Sequence, residues 1–158
     1  MSVHETWLKS MEGMKVQLNA MGVDIQLPPP SQIELQMEYL EVTPGKKIRA
    51  KVPFQQRFTN PIKTFQGGIL VAVMDDCFGP LSYVTAERPC TTLSLNTTFL
   101  KPFTEKMGHC IVEVEVLQKT KSFIFMRGVI LSPEGDMLAH AESHVAILRD
   151  DQMQKVKA

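Results

Sequence analysis

The chain has 158 residues, 44% hydrophobic and 22% charged, with a formal net charge of zero. That size fits one domain with one core, and the absence of a basic excess argues against a protein built mainly to bind nucleic acid. No apolar window of the roughly 18 residues needed for a membrane span is expected, and "MSVHETWLKSMEGMK" has no charged-then-apolar secretion pattern.

Apolar residues Trp7, Leu8, Met11, Met14, Leu18 and Met21 recur at threes and fours, so residues 4–21 read as an amphipathic helix ended by Gly22. "LPPPSQ" (Leu27 to Gln32) reads as a stiff connector, because its three prolines suit neither a helix nor a central strand. Pro44-Gly45 then marks a turn between two extended runs, a hairpin. Residues 67 to about 85 are long, apolar and helical in composition, with Gly79-Pro80 expected to kink or interrupt them.

Alternation takes over downstream. "TLSLNTTFLKP" places Leu93, Leu95, Thr97 and Phe99 on one face, and "HCIVEVEVLQ" sets Val112, Val114 and Val116 opposite Glu113 and Glu115. "SFIFMRGVIL", the turn "SPEGD" and "MLAHAESHVAIL" complete four antiparallel strands with short connections, before a polar tail, "RDDQMQKVKA". Such a sheet buries one face and needs a cover. The apolar helix is the candidate, apolar nearly all round and therefore expected to be wrapped. The expected fold is α+β: a curved antiparallel sheet around one long central helix, with an extra N-terminal helix. Its division is residues 1–35 (N-terminal helix and connector), 36–150 (main domain) and 151–158 (tail). An exposed edge strand and helix side make a dimer the sensible end state.

Two carboxylates, Asp75 and Asp76, interrupt the apolar run Ile69 to Phe78, which holds no other polar residue. A carboxylate in such surroundings costs several kcal/mol unless paired or protonated, and its pKa tends upward, which suits a base or nucleophile near neutral pH. Adjacent helical residues differ by about 100° in direction, so the two cannot share one role. Either can instead face solvent or a subunit contact. Gly67-Gly68 allows a tight entry into the helix, and the first helical N–H groups, lacking partners, can hold an oxyanion. Asn60 and Gln66 flank that point; each can donate an amide hydrogen bond to a carbonyl, and Asn60 reads equally well as a turn residue before Pro61.

"NPIKTFQGGILVAVMDDCFG" resembles the signature of hotdog-fold acyl-CoA thioesterases, nearest to the 4-hydroxybenzoyl-CoA and phenylacetic-acid-degradation type. That signature reads Asn, about five residues, His-Gly-Gly, six residues, Asp or Glu, three residues, Gly. Asn60, Gly67, Gly68, Asp75 and Gly79 take those places, and "TTLSLNTTFLKP" resembles the family's strand ending in Phe-Leu-Arg/Lys-Pro. The resemblance spans roughly residues 36–148. It implies hydrolysis of an acyl-CoA thioester without a cofactor or metal, at sites formed between subunits of a homodimer or homotetramer. It prefers Asp75 as base or nucleophile and leaves Asp76 to solvent, a backbone partner or the other subunit. It further implies Gly67 N–H as oxyanion donor, Asn60 as positioner and Thr92 as a hydroxyl near the carboxylate, contributed across the dimer. Gly68, Phe65 and Gly79 would border the substrate, and Lys101 and Lys121 would meet the coenzyme A phosphates. The family's histidine is Gln66 here, which can donate a hydrogen bond but cannot shuttle a proton. The alternative is therefore a protein that binds acyl-CoA or acyl groups without turnover. A dehydratase or hydratase ranks last, because no histidine lies between His4 and His109.

The remaining candidates have plainer readings. His140 and His144 share a strand face without helical metal geometry, and His109 begins a strand. Lys119 and Arg127 read as solvated charges, while Phe58, Phe78 and Tyr83 suit an aryl or medium acyl group equally. Cys77, Cys90 and Cys110 read as buried free thiols of a cytoplasmic protein rather than as nucleophiles or metal ligands.

Overall fold

The structure, a computed structural model, describes residues 1–20, 22 and 24–153; Met21 and most of the expected polar tail, residues 154–158, lie outside the described residues. Helix α1 spans Val3–Ala20. Ser2 and Glu5 start it as a reciprocal capping box, the Glu5 N–H donating to Ser2 Oγ (3.1 Å) and the Ser2 N–H to Glu5 Oε2 (2.7 Å). Its buried stripe is Trp7, Met11 and Leu18. The proline stretch does hold a short helix, α2 (Pro30–Glu34). Proline is tolerated there because a helix's first N–H has no intrahelical partner to lose.

The hairpin forms as read, β1 (Glu38–Thr43) pairing with β2 (Lys47–Pro53) across Pro44-Gly45. Helix α3 (Gly67–Ala86) is followed by β3 (Cys90–Phe99), β4 (His109–Lys119), β5 (Phe123–Leu131) and β6 (Met137–Ile147), and the short helix α4 (Asp150–Met153) closes the described chain. All six strands form one antiparallel sheet in the order β1-β2-β4-β5-β6-β3. Bulges at Leu40, Leu93, Leu117 and between Ile130 and Leu131 mark where the pairing shifts, and bulges of this kind bend a sheet.

The concave face holds Ile48, Ala50, Val52, Val112, Val114, Ile124, Met126 and Ile130, and α3 fills it with Val73, Met74, Cys77, Phe78 and Leu81. Gly128 makes the seat possible: a Cβ there would stand 2.9 Å from both Phe78 and Val114 and 3.1 Å from Met74. The opposite, convex face is solvated and laced by ion pairs, among them Lys51–Glu38, Lys47–Glu41 and Arg49–Glu113.

Three expectations are corrected. Helix α3 runs unbroken through Pro80. It is wrapped by the curved sheet as expected, with one stripe of the helix buried and Gly68 and Asp75 left exposed. It is also long and apolar enough, by length and composition alone, to cross a membrane, although here its apolar stripe packs in the core. On β3, finally, Leu93 (58%) and Phe99 (49%) are exposed rather than lining a buried face. The bulge at Leu93 breaks the alternation, and β3 is an edge strand with one free side.

Candidate active site

The expected site residues fall into two groups. Gly67, Asn60, Phe65 and Lys101 line a cavity of about 300 Å³ together with Phe99. Asp75, Thr92 and Gly79 line another of about 420 Å³. Gly67 and Asp75 lie eight positions apart on one helix, which separates them by about 12 Å at 1.5 Å per residue. One subunit therefore does not bring them to a single carbonyl.

At the first group, among the described residues, no side chain caps α3 and no acceptor meets the Gly67 or Gly68 N–H. Those donors are the unpaired amides of a helix start. Gln66 is exposed beside them, and Gly68 is open, since a Cβ there would meet nothing within 4 Å. The Phe99 ring packs on Gly67, 3.2 Å from where a Cβ would sit. Asn60 organises its own loop: Nδ2 donates to Thr64 Oγ1 (2.8 Å), and Oδ1 accepts from the Ile62 and Thr64 N–H groups (both 3.1 Å). Its second amide proton is uncommitted. Phe65 is buried among Phe54, Phe58 and Phe103, and Lys101 is paired with Asp136 at 2.8 Å.

At the second group, Thr92 Oγ1 donates to Asp75 Oδ1 at 3.0 Å. This hydroxyl comes from the same chain rather than across a dimer, because β3 packs directly on α3. Asp75 is exposed, and Asp76 is the half-buried member of the pair. Asp76 does not turn to solvent: Ser31 Oγ on α2 donates to its Oδ1 (2.8 Å), and Oδ2 is buried without a partner. Burial raises the Asp76 carboxyl above the ordinary aspartate range, Ser31 opposes that shift, and the charge of Asp75 adds to it. Both carboxylates border the same cavity.

Pro80 explains how the N-terminal segment reaches this place. Lacking an N–H, it leaves the Asp76 carbonyl, four residues earlier, without its helical donor. Gln32 Nε2 supplies one at 2.8 Å. Sequence reasoning did not single out Ser31 and Gln32 as partners of Asp76, nor Trp7 and Met11 as part of the central core. Pro80 was the signal: a proline inside an unbroken helix demands an outside donor.

Lys101 follows β3 while Lys121 lies in the β4–β5 turn, beside the start of β3, where Ile147 pairs with Cys90 and donates to Ser122 O. Ten strand residues, about 33 Å, separate those ends. Burial raises Cys90 to about 11 and Cys110 to about 12, and Cys77 higher still, so all three free cysteines are held as thiols. His140 and His144 are exposed on one face of β6, and no three potential ligands converge among the described residues. A groove of about 450 Å³ on the convex face is lined by Glu41, Lys47, Arg49, Glu113, Glu115 and Arg127, all already in ion pairs.

No family model matches the chain, and no curated protein matches it in sequence. Solved structures do match. The PaaI protein from the phenylacetic acid degradation operon of Escherichia coli is similar with a TM-score of 0.71 at 12% identity, over 77% of this chain and 86% of that one. The chain has the hotdog fold. A variant of the phenylacetic acid degradation protein PaaI from Thermus thermophilus superposes with a TM-score of 0.69 at 20% identity, over 76% of this chain and all of that one. A variant of a Staphylococcus aureus thioesterase enzyme gives 0.69 at 15% identity, over 75% and 98%. At identities of 12–20%, these likenesses show the shared fold.

Proposed function

We propose that the protein is an acyl-CoA thioesterase acting as a homodimer, with each active site assembled from two subunits. The observation that carries this reading is the separation of Gly67 from Asp75 into different cavities along α3. Edge strand β3 exposes Leu93 and Phe99 (58% and 49%), and Leu100, just after it, is 53% exposed. Exposed edges of this kind invite pairing with a second copy. About a twofold axis the two β3 strands run antiparallel. The Thr92 end of one then lies beside the Phe99 end of the other, and Asp75 of one subunit approaches Gly67 of the partner subunit. Lys121 and the partner's Lys101 come to the same end by the same operation. The homodimer can pair again as a homotetramer. Three free thiols support a reducing, cytoplasmic setting.

In this site the partner's Gly67 N–H receives the thioester oxygen. Asp75, oriented by Thr92, takes a proton from water as the water oxygen bonds to the acyl carbon. The oxyanion so formed sits on the helix start, where amides and dipole favour negative charge. Collapse breaks the C–S bond, and the sulfur leaves with the proton, giving a free acid and coenzyme A. Asp75 attacking the carbon directly is the covalent variant, completed by water. Gln66 favours a second reading, acyl-group binding without turnover, because it cannot pass on a proton.

A thiol-release assay over a panel of acyl-CoA esters tests this. Release by the wild type that falls about 10²–10⁴-fold in Asp75→Asn is expected for loss of a general base. Release unchanged in Asp75→Asn removes that residue from the chemistry. No release with any ester, alongside measurable binding, leaves the binding-only reading.

A further inference from the structure

The 420 Å³ cavity beside Asp75 has two unlike walls. The inner wall belongs to α3 and β3 and carries Asp75 and Thr92; the outer wall comes from the N-terminal segment, with Trp7, Met11 and Met14 on α1 and Ile25 and Leu27 on the connector. The lining also holds Gln26, Gln32, Ser82 and Thr91 and both carboxylates, Asp75 and Asp76. Such a chamber suits a substrate whose reacting carbon stops at Asp75 while its hydrocarbon part lies under α1 against Trp7, Met11 and Met14. Its size falls within the roughly 300–1,000 Å³ of small-ligand sites. Methionine and branched aliphatic walls adapt to a flexible hydrocarbon.

The outer wall is fixed at one point. The carbonyl of Asp76, orphaned by Pro80, accepts from Gln32 Nε2, and the Asp76 carboxylate accepts from Ser31 Oγ, both at 2.8 Å. Asp76 is thus a positioning residue: it holds the connector over the cavity that its neighbour Asp75 serves.

We propose that the N-terminal helix and connector select the acyl group, admitting an uncharged hydrocarbon between α1 and α3, with Met14 and Ile25 setting the length accepted. This rests on the thioesterase reading for the chemistry at Asp75, but the occupancy of the cavity can be read without turnover. Trp7 lines the cavity and is the only tryptophan of the chain, so its emission reports what enters.

The test uses the full chain and S-alkyl thioethers of coenzyme A, which cannot be hydrolysed, from ethyl to dodecyl. A parallel phenylalkyl series tells a chain from a ring. The Trp7 emission change is expected to grow with alkyl length and then stop. Met14→Ala removes three side-chain heavy atoms, so the stop should move outward by about three carbons. The decanoyl-to-butyryl ratio of kcat/KM should rise about tenfold or more, the value of one accepted methylene. Ile25→Ala is the second variant, expected to move the stop the same way. Val16→Ala, on α1 but 66% exposed and outside the cavity, should leave the profile in place.

An emission response that ignores alkyl length, or equals that of coenzyme A alone, overturns the proposal. So does a profile unmoved in both cavity variants while hydrolysis persists, and the thioesterase reading then stands. A length-dependent emission response with no hydrolysis of any ester supports the pocket and removes the enzymatic reading instead.

Discussion

The Gln32 amide and Pro80 should be energetically coupled although they lie on different elements. In the wild type the Asp76 carbonyl has one donor, Gln32 Nε2 at 2.8 Å, because Pro80 has none to give. Gln32→Leu keeps an apolar filler of similar length and removes that donor. A buried carbonyl left unpaired costs about 1–3 kcal/mol. The same substitution also deletes Gln32 Oε1, which is buried and unpaired, so the net single-variant loss should be smaller, about 1 kcal/mol. Pro80→Ala restores the helical N–H to the same carbonyl. In that background Gln32→Leu should no longer orphan it, and the coupling in the double-mutant cycle should be about 1–2 kcal/mol. With a urea slope of about 2 kcal/mol/M, this is a midpoint difference of roughly 0.5–1 M, readable from Trp7 fluorescence. Additive effects, with the double variant losing as much to Gln32→Leu as the wild type does, would refute the assignment of Gln32 as the missing helical donor.

Gly128→Ala drives a methyl into Phe78, Val114 and Met74 at 2.9–3.1 Å. It should cost about 2 kcal/mol of stability and lower Tm by roughly 4–8 °C; an unchanged melting curve would mean that α3 does not seat there. Burial raises Asp76 in the folded state, so its contribution to stability is fully present below the unfolded aspartate value of about 3.9 and is lost as pH rises through the folded value. The urea midpoint of Asp76→Asn should therefore improve relative to wild type between about pH 4 and pH 7, and a gap that ignores pH would contradict the burial of this carboxyl. Leu93→Glu places a charge on the exposed β3 edge and should shift the mass in light scattering toward the monomer; a variant that stays dimeric would move the subunit contact elsewhere.

Local signals carried much of the fold. Pro44-Gly45 marked its hairpin, the alternation of Val112, Val114 and Val116 marked an inward strand face, and the run from Gly67 marked the central helix. What escaped depends on pairing at a distance. Alternation in β3 predicts Leu93 and Phe99 inward, but a bulge and an edge position turn them outward. Pro80 reads locally as a break, and the helix continues because Gln32 satisfies the carbonyl it frees, that of Asp76, 44 residues from Gln32. The same contact decides which aspartate is covered: α2 sits on Asp76 and leaves Asp75 open toward Thr92. The signature residues were legible as a set, yet their division between two cavities follows from the length of α3 and was not.

The shared site is tested most directly by subunit complementation. Asp75→Asn disables the carboxylate, and Gly67→Pro removes the amide donor at a first helical position that suits the proline backbone, with the Phe99 ring, 3.2 Å from the added Cβ, giving way by a few tenths of an ångström. Each homodimer alone should be inactive in thiol release. Mixed by unfolding and refolding together, the two chains form heterodimers in which one site joins an intact Asp75 to an intact Gly67 of the partner subunit. Recovered release, at about half the wild-type rate per heterodimer, is the result the composite site requires. Mixtures that form heterodimers yet stay as inactive as their parents would contradict it.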